Sequence, residues 1–158
     1  MLDTFWRWYE RTYTVHISVA FGLFALQLTH LAWLFGEVVW LYLTGHSLFV
    51  FEGVYKWLIV LIDYTEVPAI LSVSLVYIHE LRQRWSGKDA LYLLFLNSQW
   101  LHLFWITDEF VETTFNSSGT VLPMALAWLA VLIDYLEVPV MFDTAARFFC
   151  AMRPGGRA

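Results

Sequence analysis

The chain has 158 residues, of which 59% are hydrophobic and 15% charged, and its formal net charge is −5. Soluble proteins carry about 25% charged residues, and a mean hydropathy of +0.59 is typical of a membrane protein. Nine Lys and Arg residues without a basic patch argue against nucleic acid as a partner. The single cysteine, Cys150, excludes a disulfide framework within the chain and a cysteine-rich metal site.

The two ends of the chain have their own composition. Residues 1–13 mix aromatic and charged side chains and lack the pattern of a signal peptide. They predict an interfacial segment, with Trp6, Trp8 and Tyr9 at the level of the lipid headgroups. Residues 151–158 are basic and predict a flexible tail.

Four apolar stretches lie between these ends, at about residues 15–43, 54–79, 90–111 and 121–149. Each is long enough to cross a hydrocarbon layer about 30 Å thick. Lys and Arg are concentrated before the first stretch, between the second and third, and after the fourth. By the positive-inside rule we expect a multi-pass protein of the plasma (inner) membrane with both termini cytoplasmic. Membrane lipids are its expected partners, and homo-oligomers are compatible with the sequence.

One segment of twelve residues occurs twice in the chain, with small differences. Residues 57–68 read W-L-I-V-L-I-D-Y-T-E-V-P and residues 128–139 read W-L-A-V-L-I-D-Y-L-E-V-P, with two of the twelve positions different. The repeat divides the single membrane domain, residues 1–158, into repeat one at about residues 14–80 and repeat two at about residues 90–150. We therefore predict an all-α, antiparallel four-helix transmembrane bundle of two tandem helical hairpins, with a pseudo-two-fold axis along the membrane normal.

A weaker second repeat supports the same division. Residues 27–37 and 99–109 share the frame Q-x-x-H-L-x-W-x-x-x-E. Ionised acids in an apolar segment are costly and favour a functional site. Acids and histidines at matched depths predict a nearly symmetric centre in the bundle core, in which His30 faces His102. Its eight expected ligands are His30, Glu37, Asp63, Glu66, His102, Glu109, Asp134 and Glu137.

Carboxylate and imidazole ligands suit Fe, Mn or Zn, and two or three divalent ions would neutralise the acids. Five further side chains are expected around the ligands, namely Gln27, Gln99, Tyr64, Tyr135 and Glu112. The ligand set resembles that of carboxylate-bridged di-metal bundles, with Glu37 and Glu109 as single ligands and Asp-x-x-Glu pairs on the alternate helices. It differs because the histidines lie on the other two helices.

Several functions fit this centre. One is a metal-dependent oxidoreductase that acts on a small or lipid-soluble substrate. A second is a metal-stabilised structural or sensor protein, and a third is a cation or proton transporter. The same acids could also relay protons without any metal. The proline in each copy of the repeat, Pro68 or Pro139, is expected to kink its helix, because proline has no amide to donate.

Overall fold

The computed structural model describes residues 2–48, 53–115 and 124–153, and these are almost wholly helical, with no strand among them. The expectation of an all-helical protein is confirmed. The helices are α1 Leu2–Arg11, α2 Tyr13–Trp33, α3 Trp40–Thr44, α4 Val54–Tyr64, α5 Glu66–Gln83, α6 Gly87–Phe115, α7 Met124–Tyr135 and α8 Glu137–Met152, and a π-helical segment, Leu34–Val39, joins α2 to α3.

The helices form four long stretches: α2 to α3, α4 to α5, α6, and α7 to α8. Helix α2 packs against α5 and α8, while α6 packs against α5, α7 and α8. We call one end of this assembly the terminal end and the other the hairpin end. The terminal end carries α1, the connection between α5 and α6, and the end of α8. The hairpin end carries the end of α3, the start of α4, the end of α6 and the start of α7. At the hairpin end the Tyr42 and Trp128 rings lie 5.7 Å apart.

Two helical stretches among the described residues are long and apolar enough to cross a membrane. Tyr13–Thr44 has 32 residues and a mean hydropathy of 1.6, and Trp57–Gln83 has 27 residues and a mean hydropathy of 1.7. They coincide with the first and second predicted spans. The third and fourth spans, the orientation of the termini and the four-helix transmembrane arrangement stay predictions.

Both copies of the repeated segment contain a one-residue break in the helix. Helix α4 gives way to α5 at Thr65, and α7 gives way to α8 at Leu136. The amide of each of these residues bonds the carbonyl three residues earlier, at 2.9 and 3.0 Å. Pro68 and Pro139 lie three residues after the breaks and cannot donate to the preceding turn. In each copy the aspartate therefore precedes the break, and the glutamate is the first residue after it.

The π-helical segment Leu34–Val39 has no counterpart in α6, which is one continuous α-helix. It contains Glu37, whose side chain lies outside the described part of the structure. A π-helix bonds residue i to i+5 instead of i+4. The direction of the Glu37 side chain relative to His30, seven residues earlier, therefore cannot be calculated from the geometry of a regular α-helix. Short π-helical segments are rare and often occur at functional sites.

Helix α1 packs on the terminal end with Trp6 and Tyr9 on its buried side, and of the three predicted headgroup aromatics only Trp8 is exposed. The Trp6 ring stacks on His79 with a centroid distance of 5.8 Å. The Tyr9 ring stacks on His16 at 4.4 Å. Burial raises the pKa of Tyr9, so its hydroxyl keeps its proton. The N-terminal segment is thus a helix that covers the ends of α2 and α5.

Candidate metal centre

Six of the eight predicted ligands have described side chains, and all six are at most 5% exposed although each is polar or ionisable. Buried groups of this kind are rare unless they have a partner. The side chains of Glu37, Glu109 and Glu112 lie outside the described part of the structure. The six buried residues are His30, Asp63, Glu66, His102, Asp134 and Glu137.

Three of these side chains meet at one point. One ligand atom each from His30, His102 and Asp134 lies within 4.8 Å of the other two. The Asp134 carboxylate lies between the two imidazoles: Oδ2 is 3.6 Å from Nε2 of His30, and Oδ1 is 3.0 Å from Nδ1 of His102. The imidazole centroids are 6.2 Å apart. The helices that supply this group are α2, α6 and α7.

The separations fit atoms that share an ion. Two ligand atoms that each lie about 2.1 Å from an ion are roughly 3.0 Å apart at a right angle and roughly 3.4 Å apart at the tetrahedral angle. The contacts are not aligned as hydrogen bonds between the residues themselves. Both ring nitrogens of His102 and Oδ2 of Asp134 are buried without a hydrogen-bond partner among the described residues. An unpaired buried polar atom costs about 1–3 kcal/mol, so a bound cation would relieve several such costs together.

Asp63 holds a different position from Asp134. Its Oδ1 contacts Nδ1 of His30, on the far side of the ring from Asp134, and it is outside the three-residue group. A carboxylate at the second nitrogen of an imidazole orients the ring and makes the first nitrogen a better ligand. His30 thus contacts both aspartates, whereas the described contacts of His102 include only Asp134. The described contacts therefore differ from the nearly symmetric centre expected from the repeat, and the π-helical segment that begins four residues after His30 has no counterpart in α6.

The two glutamines make the same contact in both halves. Gln27 Nε2 donates to the carbonyl of Ile62 at 3.2 Å, and Gln99 Nε2 donates to the carbonyl of Ile133 at 2.8 Å. Each carbonyl belongs to the residue just before the aspartate, so the glutamine fixes the backbone that carries the acid. Gln27 also donates to Thr65 Oγ1 at 3.0 Å. Comparison of the two copies of the repeated segment did not identify Thr65, because the second copy has Leu at that position.

Glu66 and Glu137 begin α5 and α8, beside the two breaks, and both are buried. Oε1 of Glu66 and Oε2 of Glu137 have no hydrogen-bond partner among the described residues. Neither belongs to the three-residue group. Of the expected tyrosines, Tyr64 is exposed, while Tyr135 is half-buried against the apolar core.

A second polar cluster, the terminal network, was not predicted from the sequence. Arg147 on α8 reaches three carboxylates: Asp143 at 2.7 Å, Asp89 at 2.6 Å and Glu80 at 3.4 Å. Lys88 also reaches Asp143, at 2.5 Å. All of these residues lie at the terminal end. Among the described side chains, the ion pairs of Lys and Arg are confined to this network and do not reach the aspartates and glutamates of the centre.

Comparison with family models, with curated proteins and with solved structures finds no match to this chain. The centre is therefore interpreted from its own residues and distances.

Proposed function

We propose that this chain is an integral membrane metal-binding protein, in which His30, His102 and Asp134 hold a divalent cation in the core of a four-helix transmembrane bundle. One observation carries the proposal. Three buried side chains from three helices converge within 4.8 Å while several of their polar atoms lack another partner. The resemblance between the two halves of the sequence and the burial of the matched residues support the same centre.

The ligand set indicates which ions fit. Two imidazoles and a carboxylate suit Fe, Mn or Zn. Two histidines and one carboxylate with open positions are also the ligand set of non-haem iron(II) oxygenases. Structural zinc sites are closed by four protein ligands, whereas catalytic sites leave a position open. Three ligands among the described side chains thus favour a metal-dependent oxidoreductase of a small or lipid-soluble substrate over a purely structural centre.

The charge balance is consistent with one divalent ion at this group. Among the described side chains, ionised Asp63 and Asp134, neutral imidazoles and a divalent cation sum to zero when Glu66 and Glu137 keep their protons. A neutral centre avoids most of the penalty for placing charge in hydrocarbon. A second or third ion would require ionised glutamates, and Glu66, Glu137, Glu37 and Glu109 are the residues that would hold it.

A second candidate function rests on the contact between His30 Nδ1 and Asp63 Oδ1. Together with the contact to Asp134 it gives a chain from one aspartate through an imidazole to the other. Without metal, the positive charges of two protonated imidazoles would balance the negative charges of the two aspartates. This row of side chains could then relay protons. The metal centre is preferred because a relay predicts aligned hydrogen bonds between these groups, and His102 makes none with a described residue.

Metal analysis of the protein purified in detergent tests the proposal. We expect at least one Fe, Mn or Zn ion per chain after loading and desalting. His102→Ala and Asp134→Asn should each lose it, while His46→Ala, at an exposed histidine, should retain it. Wild-type protein that stays helical but binds none of the three ions would refute the metal centre and leave the proton relay.

A further inference from the structure

A continuous apolar layer separates the metal centre from the terminal end. Nine apolar side chains in this layer are at most 2% exposed. They come from all four stretches of helix, and we call them the apolar plug. The plug consists of Ile17, Ala20 and Phe24 on α2, Ala69, Ile70, Val73 and Val76 on α5, Leu96 on α6, and Val140 on α8.

The plug is thick enough to stop an ion. On α8, Asp143 in the terminal network follows Glu137 by six positions, which is about 9 Å along the helix axis. On α2, Gln27 follows Ile17 by ten positions, which is about 15 Å. Between Glu137 and Asp143 on α8 the buried residues are Val140 and Met141, both apolar, and the next buried polar side chain, Thr144, lies one residue beyond Asp143. A cation would have to shed its water to pass, and buried apolar side chains offer no replacement ligands.

The terminal network closes the same end a second time. Arg147 bridges carboxylates on α5, α6 and α8, and the Tyr13 hydroxyl donates to Glu80 at 3.3 Å, which adds α2. All four stretches are therefore tied together beyond the plug. Helix α1 lies over the ends of α2 and α5 with the Trp6 ring stacked on His79.

The described apolar residues on the hairpin side of the centre are less completely buried than most of those on the terminal side. They are 5–9% exposed, whereas the plug residues are at most 2% exposed, with Met141 at 7% and Trp6 at 8% also on the terminal side. Helix α3 has no buried residue, and the π-helical segment lies on this side of His30. The residues compared are Leu31, Leu34, Val39, Ile59, Leu103, Val131 and Ile133.

We infer that the centre has one-sided access: divalent cations reach and leave it only from the hairpin end, because the apolar plug and the terminal network block the terminal end. This inference rests on the proposed metal centre. It makes the centre a site that binds and releases its ion on one side of the membrane. Transport across the membrane would require the plug and the network to open.

Zinc-loaded protein in sealed vesicles tests the sidedness. A tag on the N-terminus separates vesicles with the terminal end outside from those with the hairpin end outside. EDTA, which does not cross the bilayer, is then added outside, and the zinc that stays bound is measured over time. We expect at least about tenfold faster stripping from vesicles with the hairpin end outside. Detergent added at the end should release the protected zinc from the other population.

The outcomes separate this inference from the metal centre itself. Equal stripping rates in the two orientations would overturn one-sided access and leave the metal centre intact. Protein that binds none of zinc, iron and manganese even in detergent would remove the centre and the inference with it. The wild-type comparison is sufficient without any variant.

A variant then locates the barrier. Val73→Ser with Val140→Ser puts hydroxyls and space into the plug, and we expect zinc to be stripped faster from vesicles with the terminal end outside. The matched control is Leu71→Ser with Phe142→Ser, at exposed positions of the same helices, which should leave the rate unchanged. Equal effects of the two pairs would show that the plug is not the barrier.

Discussion

Asp63 and Asp134 occupy equivalent positions in the repeated segment and different positions in the structure. Asp134 lies between the imidazoles of His30 and His102, and its two oxygens are 3.6 and 3.0 Å from their nitrogens. Among the described side chains, Asp63 pairs with the far nitrogen of His30 and not with His102. We therefore expect unequal losses of metal affinity from Asp63→Asn and Asp134→Asn, two substitutions that are chemically identical.

The size of each loss follows from these contacts. Removal of a carboxylate that orients a ligating imidazole typically weakens metal binding about 10–100-fold, or about 1.4–2.7 kcal/mol. We expect a loss in this range for Asp63→Asn. Asp134→Asn removes one of three atoms that would touch the ion, so its loss should be at least about tenfold larger than that of Asp63→Asn.

Competition between the detergent-solubilised protein and a chelator of known affinity measures the zinc dissociation constants. Circular dichroism establishes that each variant keeps its helices, and His46→Ala, away from the centre, serves as the control. Equal losses for the two aspartates would refute the unequal roles and restore a symmetric centre. No loss for either would show that zinc does not bind at these residues.

Four further predictions follow from other contacts. Gln99→Leu removes the hydrogen bond from Gln99 Nε2 to the Ile133 carbonyl, which still accepts from the Leu136 amide, and should lower the free energy of unfolding by about 0.5–1.5 kcal/mol, measured by denaturation in detergent. Arg147→Met removes the cation shared by three carboxylates and should lower it by about 1.5–3 kcal/mol in the same assay. A chelator should lower the melting temperature of wild-type protein, because an ion at 100 times its dissociation constant stabilises the fold by about 2.7 kcal/mol. His102→Ala should abolish that chelator effect. Reporter fusions after residue 85 and after residue 118 should report opposite compartments, since Lys and Arg are concentrated in the loop between the second and third spans.

Each of these predictions has a result that contradicts it. Wild-type stability of Gln99→Leu would mean that the Leu136 amide alone satisfies the Ile133 carbonyl, and unchanged stability of Arg147→Met would make the terminal network a set of independent surface pairs. A melting temperature that does not change when a chelator is added would favour the proton relay. Two fusions in the same compartment would rule out the predicted topology.

The all-helical class and the buried polar positions could be predicted because the chain repeats them. Apolar segments lose polar residues readily by drift, so a Gln, a His and two acids that recur at matched spacing indicate a shared environment. This argument identified Gln27 and Gln99, which make matching contacts to the backbone. It expected them to orient an acid or an imidazole directly, because spacing does not distinguish a side-chain acceptor from the carbonyl beside it.

The features that break the repeat could not be predicted from it. The π-helical segment adds no recognisable residue pattern, yet it changes the direction of the side chains within it and after it, relative to a continuous α-helix. The different roles of Asp63 and Asp134 follow from tertiary contacts that two nearly identical sequences do not encode separately. The sequence contains one local indication of the terminal network, namely that Asp143 and Arg147 are four residues apart and therefore lie on one face of a helix. Its partners Asp89 and Glu80 are recruited by packing between α5, α6 and α8.

The origin of the three converging residues has a consequence for biosynthesis. His30 lies in the first hairpin, whereas His102 and Asp134 lie in the second. Under the proposed topology, a chain inserted from its N-terminus enters the bilayer with His30 and the acids of its first hairpin before His102 and Asp134, which would share an ion with His30, have been made. Only synthesis of the last helices completes the centre. Chains that stop early, or that fold before metal arrives, would carry unpaired acids in hydrocarbon and would be the natural targets of membrane proteases.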